Sequence, residues 1–201
     1  LTISVGNITF GGTEKTPLVI RLLSFLIQQG FKPSLVSRGY KGKWEKKGGI
    51  VSDGKATLAN WKEAGDEPYM VSLKVPQAAV FVGKNRLLSC RKARSLGFDA
   101  AVLDDGFQHR RLSKDLDIAL YDSAEKTRLR EPFSSLERAD IILVKGEINN
   151  EKKRIEDRFP EKPVFSYSVQ NAGIFRLETS EKETADELSQ KKIIAFSGIA
   201  R

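Results

Sequence analysis

The stretch GNITFGGTEKTP, residues 6–17, follows a short apolar run at residues 1–5 and leads into the amphipathic segment LVIRLLSFLIQQG. A strand, a glycine-rich turn and a helix that opens with Lys-Thr form the arrangement of a phosphate-binding loop, or P-loop. In such loops, backbone N–H groups and the helix N-terminus bind nucleotide phosphates. We expect Lys15 to reach the β- and γ-phosphate oxygens and the Thr16 hydroxyl to bind Mg²⁺. The other cofactor-binding residues predicted in this loop are Gly11, Gly12 and Thr13.

The loop departs from the strict pattern G-x-x-x-x-G-K-[ST], because Thr9 and Glu14 occupy the two glycine positions. Two unit charges about 5 Å apart repel by roughly 3 kcal/mol at an effective dielectric of about 20. A Glu14 carboxylate beside the phosphates would therefore weaken nucleotide binding about a hundredfold, unless it turns to solvent or pairs with a lysine. The glycines fit either a nucleotide site or a turn of purely structural purpose.

An acidic pair follows a second apolar run. The segment AAVLDDGFQHRRL places Asp104 and Asp105 directly after residues 100–103, a predicted buried strand. Sheets of the α/β class bind ligands at the carboxyl ends of their strands. One aspartate would hold Mg²⁺ through water, as the corresponding acid does in other P-loop proteins. Because Asp-Gly is also a frequent turn dipeptide, a turn or helix cap is the alternative interpretation.

Short apolar runs alternate with helical patterns through the first three-quarters of the chain. This alternation predicts an α/β fold, a P-loop NTPase-like, doubly wound and mostly parallel sheet. The predicted strands are residues 2–5, 34–37, 78–82, 100–103, 118–121 and 141–144. The predicted helices are residues 15–29, 67–74, 85–95 and 147–158.

The pattern changes after Pro160. VFSYSVQ (164–170) and IFRLET (174–179) are predicted strands, and residues 171–173 between them indicate a hairpin. We predict a nucleotide-binding core at residues 1–160, and a β-hairpin linker with the truncated start of a smaller C-terminal lobe at residues 161–201. The only methionine is Met70, so residue 1 is not an initiator and the chain is interpreted as a fragment.

The formal net charge of +8 allows two interpretations. It reflects either a solvated, lysine-rich surface or attraction to polyanions such as nucleotide phosphates, nucleic acid or an anionic membrane face. No nucleic-acid-binding motif accompanies the basic clusters, which favours a phosphorylated or membrane-surface substrate. No apolar run reaches about 18 residues, the length that marks a membrane-spanning helix. The single Cys90 excludes a disulfide framework within these residues.

Six motifs, in order along the chain, are similar to those of a known family. They are GNITFGGTEKTP, SRGYKGK, AGDEP, DDGFQHRRL, LREPFSSLERAD and AFSGIAR. Together they closely resemble the tetraacyldisaccharide 4'-kinases, the lipid A 4'-kinases of bacteria that make lipopolysaccharide. The resemblance implies transfer of the γ-phosphoryl group of ATP, with Mg²⁺, to the 4'-hydroxyl of a tetraacylated glucosamine disaccharide 1-phosphate, which gives lipid IVA. It also implies work at the cytoplasmic face of the inner membrane. The family usually has glycine where this chain has Glu14.

The resemblance assigns roles to the charged residues of the motifs. Lys15 and Asp105 would be catalytic, Thr16 and Asp104 would bind the metal, and Asp66 of AGDEP would help to remove the proton from the attacking hydroxyl. Without the resemblance, the sequence favours a helix N-cap as the role of Asp66. The family's base pairs with a histidine of the C-terminal lobe. That histidine is expected beyond residue 201, and the fragment is therefore expected to phosphorylate poorly.

Basic residues at motif positions are the predicted acceptor site. The resemblance implies that four of them bind the sugar 1-phosphate or the transferring phosphoryl group: Arg38, Arg86, His109 and Arg130. Arginine suits this role because its planar fork binds phosphate through two hydrogen bonds. Glu131 is expected to orient Arg130 or to lie near the nucleotide. Tyr40 and Trp44, in a basic glycine-rich loop, either enter the membrane interface or cap the core.

Two other functions remain open. A P-loop kinase or GTPase of a soluble substrate would carry a base-recognition motif such as N-K-x-D, which VKGEIN after the strand at residues 141–144 does not supply. A degenerate P-loop protein that binds a membrane or a partner without ATP turnover is favoured by Glu14.

Overall fold

The computed structural model describes residues 1–10, 14–125, 128–146, 149–170, 173–175, 179, 182–189, 192 and 194. Within it the chain divides into two compact units, Leu1–Tyr167 and Ser168–Arg201. The division that the sequence places after residue 160 stays a prediction. Gly11, Gly12 and Thr13 of the predicted phosphate loop lie outside the described residues.

In the described part of the first unit, eight strands form one sheet in the order β3-β4-β2-β5-β1-β6-β7-β8. The strands are Thr2–Asn7 (β1), Pro33–Ser37 (β2), Gly49–Asp53 (β3), Ala79–Val82 (β4), Ala100–Asp104 (β5), Leu116–Asp122 (β6), Ile141–Lys145 (β7) and Val164–Tyr167 (β8). The helices are Lys15–Gln28 (α1), Trp61–Ala64 (α2), Asp66–Lys74 (α3), Arg86–Ser95 (α4) and Asn149–Arg158 (α5). Short 3-10 helices span Ser123–Glu125 and Phe133–Arg138.

Both faces of the sheet are covered by helices. Ile118 and Leu120 of β6 belong to the same buried cluster as Leu23 of α1. The alternate residues of β6 point to the opposite face, where Tyr121 packs in a cluster with Ile155 of α5. Neighbouring strands pair in parallel throughout the described sheet except for β3 and β4. The predicted doubly wound, mostly parallel α/β fold is confirmed.

Two strands differ from the sequence-based expectation. The first is β3, which pairs antiparallel with β4 at one edge of the sheet and was not predicted. Its apolar part is only Ile50 and Val51, too short a run to show a strand period. The second is β8, whose parallel pairing with β7 was not predicted. The predicted hairpin with residues 174–179 includes residues outside the described part of the chain and stays a prediction.

In the second unit, Ile174–Phe175 (β9) pairs antiparallel with Lys182–Glu183 (β10), and the helix Ala185–Ser189 (α6) follows. The turn residues 171 and 172 of the predicted hairpin lie outside the described part of the chain. Among the described residues, no helix combines the length and the apolar character needed to cross a membrane.

The central strand β1 lies between β5 and β6, and the turn that follows β5 folds directly onto it. The amide N of Gly106 donates to the Val5 carbonyl at 3.0 Å. Phe107 is fully buried beside Gly6. A Cβ on Gly6 would lie 2.5 Å from the Phe107 Cβ and 2.7 Å from its backbone N. This close approach fixes the position of the turn that carries the paired aspartates.

We expect Gly6→Ala to destabilise the fold by about 1–3 kcal/mol, because the added methyl forces the β1 backbone away from Phe107. Urea unfolding followed by circular dichroism measures this change. Ser4→Ala on the same strand is the matched control. The Ser4 hydroxyl is buried and finds no hydrogen-bond partner in the described residues, so its removal should cost less than about 1 kcal/mol. Equal stability of Gly6→Ala and the wild type would contradict this packing argument.

Candidate active site

Helix α1 begins with the lysine of the predicted phosphate loop. Glu14 occupies the N-cap position, where its side chain makes no capping hydrogen bond to the described residues. No acidic residue lies in the first turn. The N-terminal amide groups of α1, together with the positive end of the helix dipole, are therefore directed at a potential anion.

Glu14 adopts the left-handed conformation, with φ 55° and ψ 34°. For an L-residue other than glycine, this conformation costs roughly 1–2 kcal/mol. Glycine adopts it without that cost, which explains physically why phosphate loops favour glycine before the lysine. Position 14 therefore has a backbone conformation that glycine favours, but it is occupied by a residue for which that conformation is costly.

Asp105 also has a left-handed backbone, with φ 54°, at the end of β5. Two interactions hold its turn against β1. A Cβ on Gly106 would lie 2.5 Å from the Ser4 Oγ, so only glycine fits there. Gln108 Nε2 donates to the Asn7 carbonyl at 2.8 Å. The turn is therefore fixed to the strand that leads into the phosphate loop.

The Asp105 carboxylate binds two cations that are far apart in sequence. Lys15 Nζ lies 3.4 Å from Asp105 Oδ1. Arg130 Nη1 donates to both Asp105 oxygens at 3.0 Å. Burial by itself would raise the pKa of Asp105, but Lys15 and Arg130 outweigh it and hold the pKa below its ordinary value. Lys15 and Asp105, predicted from separate motifs, are therefore brought together.

Asp104 lies in a different environment from its neighbour. Its side chain is buried, and Ser37 Oγ donates to Oδ2 at 3.1 Å. Burial, and then the Asp105 charge, raise the pKa of Asp104. A buried carboxylate with a single hydroxyl partner suits a hard divalent cation. Among the described residues, no group of three His, Cys, Asp or Glu side chains is placed to hold a metal. Mg²⁺ at Asp104 would therefore need oxygens from Thr16, phosphate and water.

Asp66 is the first residue of α3 and is exposed. The N-cap position belongs to Gly65, which has φ 88°, so the alternative that made Asp66 the cap is wrong. Asp66 Oδ1 accepts a hydrogen bond from the Glu67 amide N at 3.0 Å. Partial burial of the Glu67 carboxyl, and then the Asp104 and Asp66 charges, raise the pKa of Glu67. The start of α3 therefore lies close enough to Asp104 for their charges to interact.

Of the four predicted acceptor residues, Arg86, His109 and Arg130 lie near the paired aspartates, and Arg38 contacts a different carboxylate. Arg86 is buried, and its Nη1 donates to the Gly83 carbonyl at 2.8 Å, while its Nε finds no partner in the part of the chain described. Burial lowers the pKa of Arg86, although Asp104 and Asp105 oppose that shift. Half-buried His109 has its pKa lowered by burial and then by Arg86. Arg38 Nε binds Glu45 Oε1 at 2.7 Å.

Glu131 contacts other arginines than the one predicted. Its Oε2 lies 3.0 Å from Arg110 Nη2 and 2.8 Å from Arg138 Nη2. Arg130 is oriented by Asp105 instead, so the expectation that Glu131 orients Arg130 is corrected. The two arginine contacts connect the turn after β5 to the 3-10 helix Phe133–Arg138. In the described residues, the Glu131 carboxylate therefore links two segments of the fold through ion pairs.

Three residues with evident contacts in the site were not singled out from the sequence: Ser37, Glu67 and Gln108. Each lies inside a quoted motif, SRGYKGK, AGDEP or DDGFQHRRL. Their closeness in sequence to the predicted site residues was the available signal. The sequence did not reveal which contacts their polar atoms would make.

A mostly parallel sheet whose first strand leads to a helix-starting lysine, with an aspartate pair at the tip of the adjacent strand, defines a P-loop type α/β protein. The family model for tetraacyldisaccharide-1-P 4'-kinase matches residues 1–201, and the chain belongs to this family.

Named relatives agree with this assignment. The tetraacyldisaccharide 4'-kinase of Syntrophus aciditrophicus is 38% identical, over 98% of this chain and 59% of the relative. That of Desulfotalea psychrophila is 36% identical, over 98% of this chain and 61% of the relative. The chain thus spans about three-fifths of the length of these curated relatives. A crystal structure of LpxK from Aquifex aeolicus in complex with ATP is similar with a TM-score of 0.66 and 25% identity, over 89% of this chain and 75% of that chain.

The Glu131 contacts predict a pH-dependent effect on stability. Burial alone would raise the pKa of Glu131, but hydrogen bonds from Arg138 and Arg110 hold it below the ordinary value of 4.5. The ionised carboxylate therefore stabilises the fold above about pH 4.5, and this contribution is lost as the pH falls through the lower, folded-state pKa. Urea unfolding should show Glu131→Gln to be less stable than the wild type at pH 7, with a smaller difference at pH 4.

Glu137→Gln is the control for this measurement, since Glu137 is exposed on the 3-10 helix Phe133–Arg138 that carries Arg138. It should leave stability nearly unchanged at both pH values. A Glu131→Gln deficit that is equal at pH 7 and pH 4 would show that the ionised pairs are not its source.

Proposed function

We propose that this chain is the nucleotide-binding core of an ATP-dependent kinase that phosphorylates the 4'-hydroxyl of a tetraacylated glucosamine disaccharide 1-phosphate, with lipid IVA as product. One observation carries the proposal: the 3.4 Å ion pair between Lys15 at the start of α1 and Asp105 at the tip of β5. It joins the two motifs expected to handle a nucleotide and its metal. Family membership and the ATP complex of the Aquifex aeolicus relative support the assignment.

The nucleotide would lie across the carboxyl ends of β1 and β5. Lys15 and the α1 amides hold its phosphates, while Gly11, Gly12 and Thr13 stay predicted parts of the same cradle. Thr16 and Asp104 would hold Mg²⁺, which supplies charge neutralisation on the phosphate oxygens. Asp105 acts by holding Lys15 in its position at the reacting phosphate.

Asp66 is proposed as the group that takes the proton from the attacking hydroxyl. The new bond forms between the 4'-oxygen and the γ-phosphorus, the bond from that phosphorus to the β,γ-bridging oxygen breaks, and ADP leaves. Exposure at the start of α3 leaves the Asp66 carboxylate accessible to an incoming hydroxyl. Positioned bases of this kind contribute about 10²–10⁴-fold to the rate.

The acceptor's anionic groups would be bound by the basic cluster beside the aspartates. The unpartnered Nε of buried Arg86 supports this role, because a phosphate oxygen would satisfy it. Arg38, His109 and Arg130 complete the proposed set, and the position of Glu131 near the nucleotide stays a prediction. The substrate's acyl chains place the reaction at a lipid surface, and we propose the cytoplasmic face of the bacterial inner membrane.

A second candidate is favoured by one observation. Glu14 places both a carboxylate and a left-handed non-glycine backbone at the entrance to the phosphate site. A protein with this residue is expected to bind ATP weakly, and a degenerate P-loop protein that binds a membrane or a partner without ATP turnover is the consistent alternative.

Asp66→Ala in the full-length gene product should lower kcat at least tenfold, because the attacking hydroxyl loses its proton acceptor. Transfer of ³²P from ATP to the tetraacylated disaccharide 1-phosphate measures kcat, and a separate titration should find the ATP Kd nearly unchanged. Asp66→Asn separates the roles, since it still accepts the Glu67 amide hydrogen bond but takes no proton. Recovery of the rate by Asp66→Asn would assign Asp66 a structural role.

Glu14→Gly should tighten ATP binding by up to about a hundredfold, since it removes the repulsion between the carboxylate and the phosphates. Isothermal titration with Mg²⁺ and ATP on the wild type and the variant measures the change. Lys15→Ala is the negative control and should abolish binding. Failure of both the wild type and Glu14→Gly to bind ATP would reject the kinase proposal in favour of the degenerate P-loop protein.

A further inference from the structure

The loop after β2 and helix α2 form one supported unit. The amide N of Lys43 donates to the Lys62 carbonyl at 3.0 Å, and that of Trp44 donates to the Glu63 carbonyl at 2.9 Å. A Cβ on Gly42 would lie 2.6 Å from the Glu63 carbonyl oxygen, so the two segments are in direct backbone contact. An Asn60–Glu63 capping box fixes the start of α2. Side chains on this unit are therefore presented from a well-supported backbone.

Three large apolar side chains, two in this unit and one in the segment that leads from β3 into α2, face solvent. Tyr40 is 60% exposed, Leu58 is 54% exposed and Trp61 is 57% exposed. Trp44, by contrast, packs against the core, which decides between the two sequence-based interpretations of that residue. The two tryptophans of this unit therefore differ: Trp44 packs against the core, whereas the Trp61 ring is mostly exposed. Core packing does not explain why residue 61 is a tryptophan.

Lysines are interspersed with the exposed aromatic residues. Lys41 Nζ lies 5.5 Å from the centre of the Tyr40 ring, and Lys62 Nζ lies 5.4 Å from that of Trp61. Residues 40–64 contain six lysines and three acidic residues, Glu45, Asp53 and Glu63. All three carboxylates are engaged: Glu45 binds Arg38, Asp53 accepts hydrogen bonds from backbone amides, and Glu63 accepts one from the Asn60 amide. The unit is therefore cationic as well as apolar.

We propose that this surface, defined by Tyr40, Leu58 and Trp61 with the lysines between them and called the Trp61 face, docks on an anionic lipid bilayer. Aromatic rings with an adjacent lysine suit the membrane interface, where the ring enters the headgroup layer and the ammonium group binds lipid phosphate. Both the apolar exposure and the charge complementarity favour this occupant over a neutral surface.

Docking through the Trp61 face would also position the proposed active site at the membrane, an inference that rests on the proposed kinase function. The face adjoins Asp66, the first residue of α3, through Gly65, because a Cβ on Gly65 would lie 2.8 Å from the Tyr40 carbonyl oxygen. Docking would hold the mouth of the cleft at the level of the headgroups. An acceptor hydroxyl on a lipid-anchored sugar would then reach Asp66 without extraction of its acyl chains.

Vesicle co-sedimentation of the 201-residue chain tests the proposal. We expect binding to phosphatidylcholine vesicles that contain phosphatidylglycerol, and at least tenfold weaker binding to phosphatidylcholine alone. Raising the salt from about 0.1 M to about 1 M, which shortens the Debye length from about 10 to about 3 Å, should weaken it further. The double variant Leu58→Ser/Trp61→Ser should lose at least about tenfold in affinity. Lys43→Glu/Lys62→Glu should lose at least about thirtyfold at low salt, the loss expected from removing two lysine charges alone.

Matched controls lie on other elements. Leu96→Ser removes an exposed leucine just after α4, and Lys153→Glu reverses an exposed lysine on α5; neither should change vesicle binding. Bilayers with brominated acyl chains should quench Trp61 in a Trp44→Phe variant. Comparing the wild type with Trp61→Ser gives the same information without altering Trp44.

The outcomes separate this inference from the kinase proposal. ATP titration on the same preparations reports the nucleotide site, so vesicle binding without ATP binding would reject the kinase and retain the Trp61 face. ATP binding without vesicle binding, or vesicle binding that the Leu58 and Trp61 variants leave unchanged, would overturn the docking surface. Sedimentation velocity measures whether the chain forms a dimer. If it does, and Trp61→Ser dissociates that dimer, the Trp61 face is a contact between copies of the chain and the docking proposal is overturned.

Discussion

The site depends on a single carboxylate shared by two cations. Asp105 contacts Lys15 from the start of α1 and Arg130 from the loop before the 3-10 helix Phe133–Arg138. Without that negative charge, the two cations would repel each other across the end of β5. The carboxylate keeps its place because its left-handed turn is pressed against β1 through Gly6 and Gly106. Backbone packing in the centre of the sheet therefore determines the electrostatics at its edge.

The two adjacent aspartates illustrate how environment divides chemically identical groups. Contact with Lys15 and Arg130 lowers the pKa of Asp105, whereas burial raises that of Asp104, which has a single hydroxyl partner from Ser37. An ionised Asp104 destabilises the folded chain, since a buried charge without a cation is desolvated. A metal ion at this point would relieve that cost, which gives the fold a physical reason to bind one. Asp105 is already paired with Lys15 and Arg130, so it does not need a metal ion to balance its charge.

Much of the sheet was predictable because its central strands are continuous apolar runs, and the motif residues Lys15, Asp104 and Asp105 stand directly at strand or helix ends. The edge strands were harder. β3 has too few apolar residues to show a strand period. The apolar start of β8 predicts a strand, but the sequence does not indicate that this strand pairs with β7, where Val164 is buried at the sheet edge. The proposed roles of the individual site residues stay predictions.

Charge pairing was the least predictable feature, because it depends on which long side chains meet across loops. Glu131 was expected to orient Arg130, its neighbour in sequence. Successive side chains of an extended segment, however, point in opposite directions. Asp105 takes Arg130, and Glu131 takes Arg110 and Arg138. Arg86 remains buried with an unpartnered Nε near two carboxylates. A buried polar group that has already lost its water needs little rearrangement to bind a ligand. Phosphoryl-transfer sites depend on such preorganised charges.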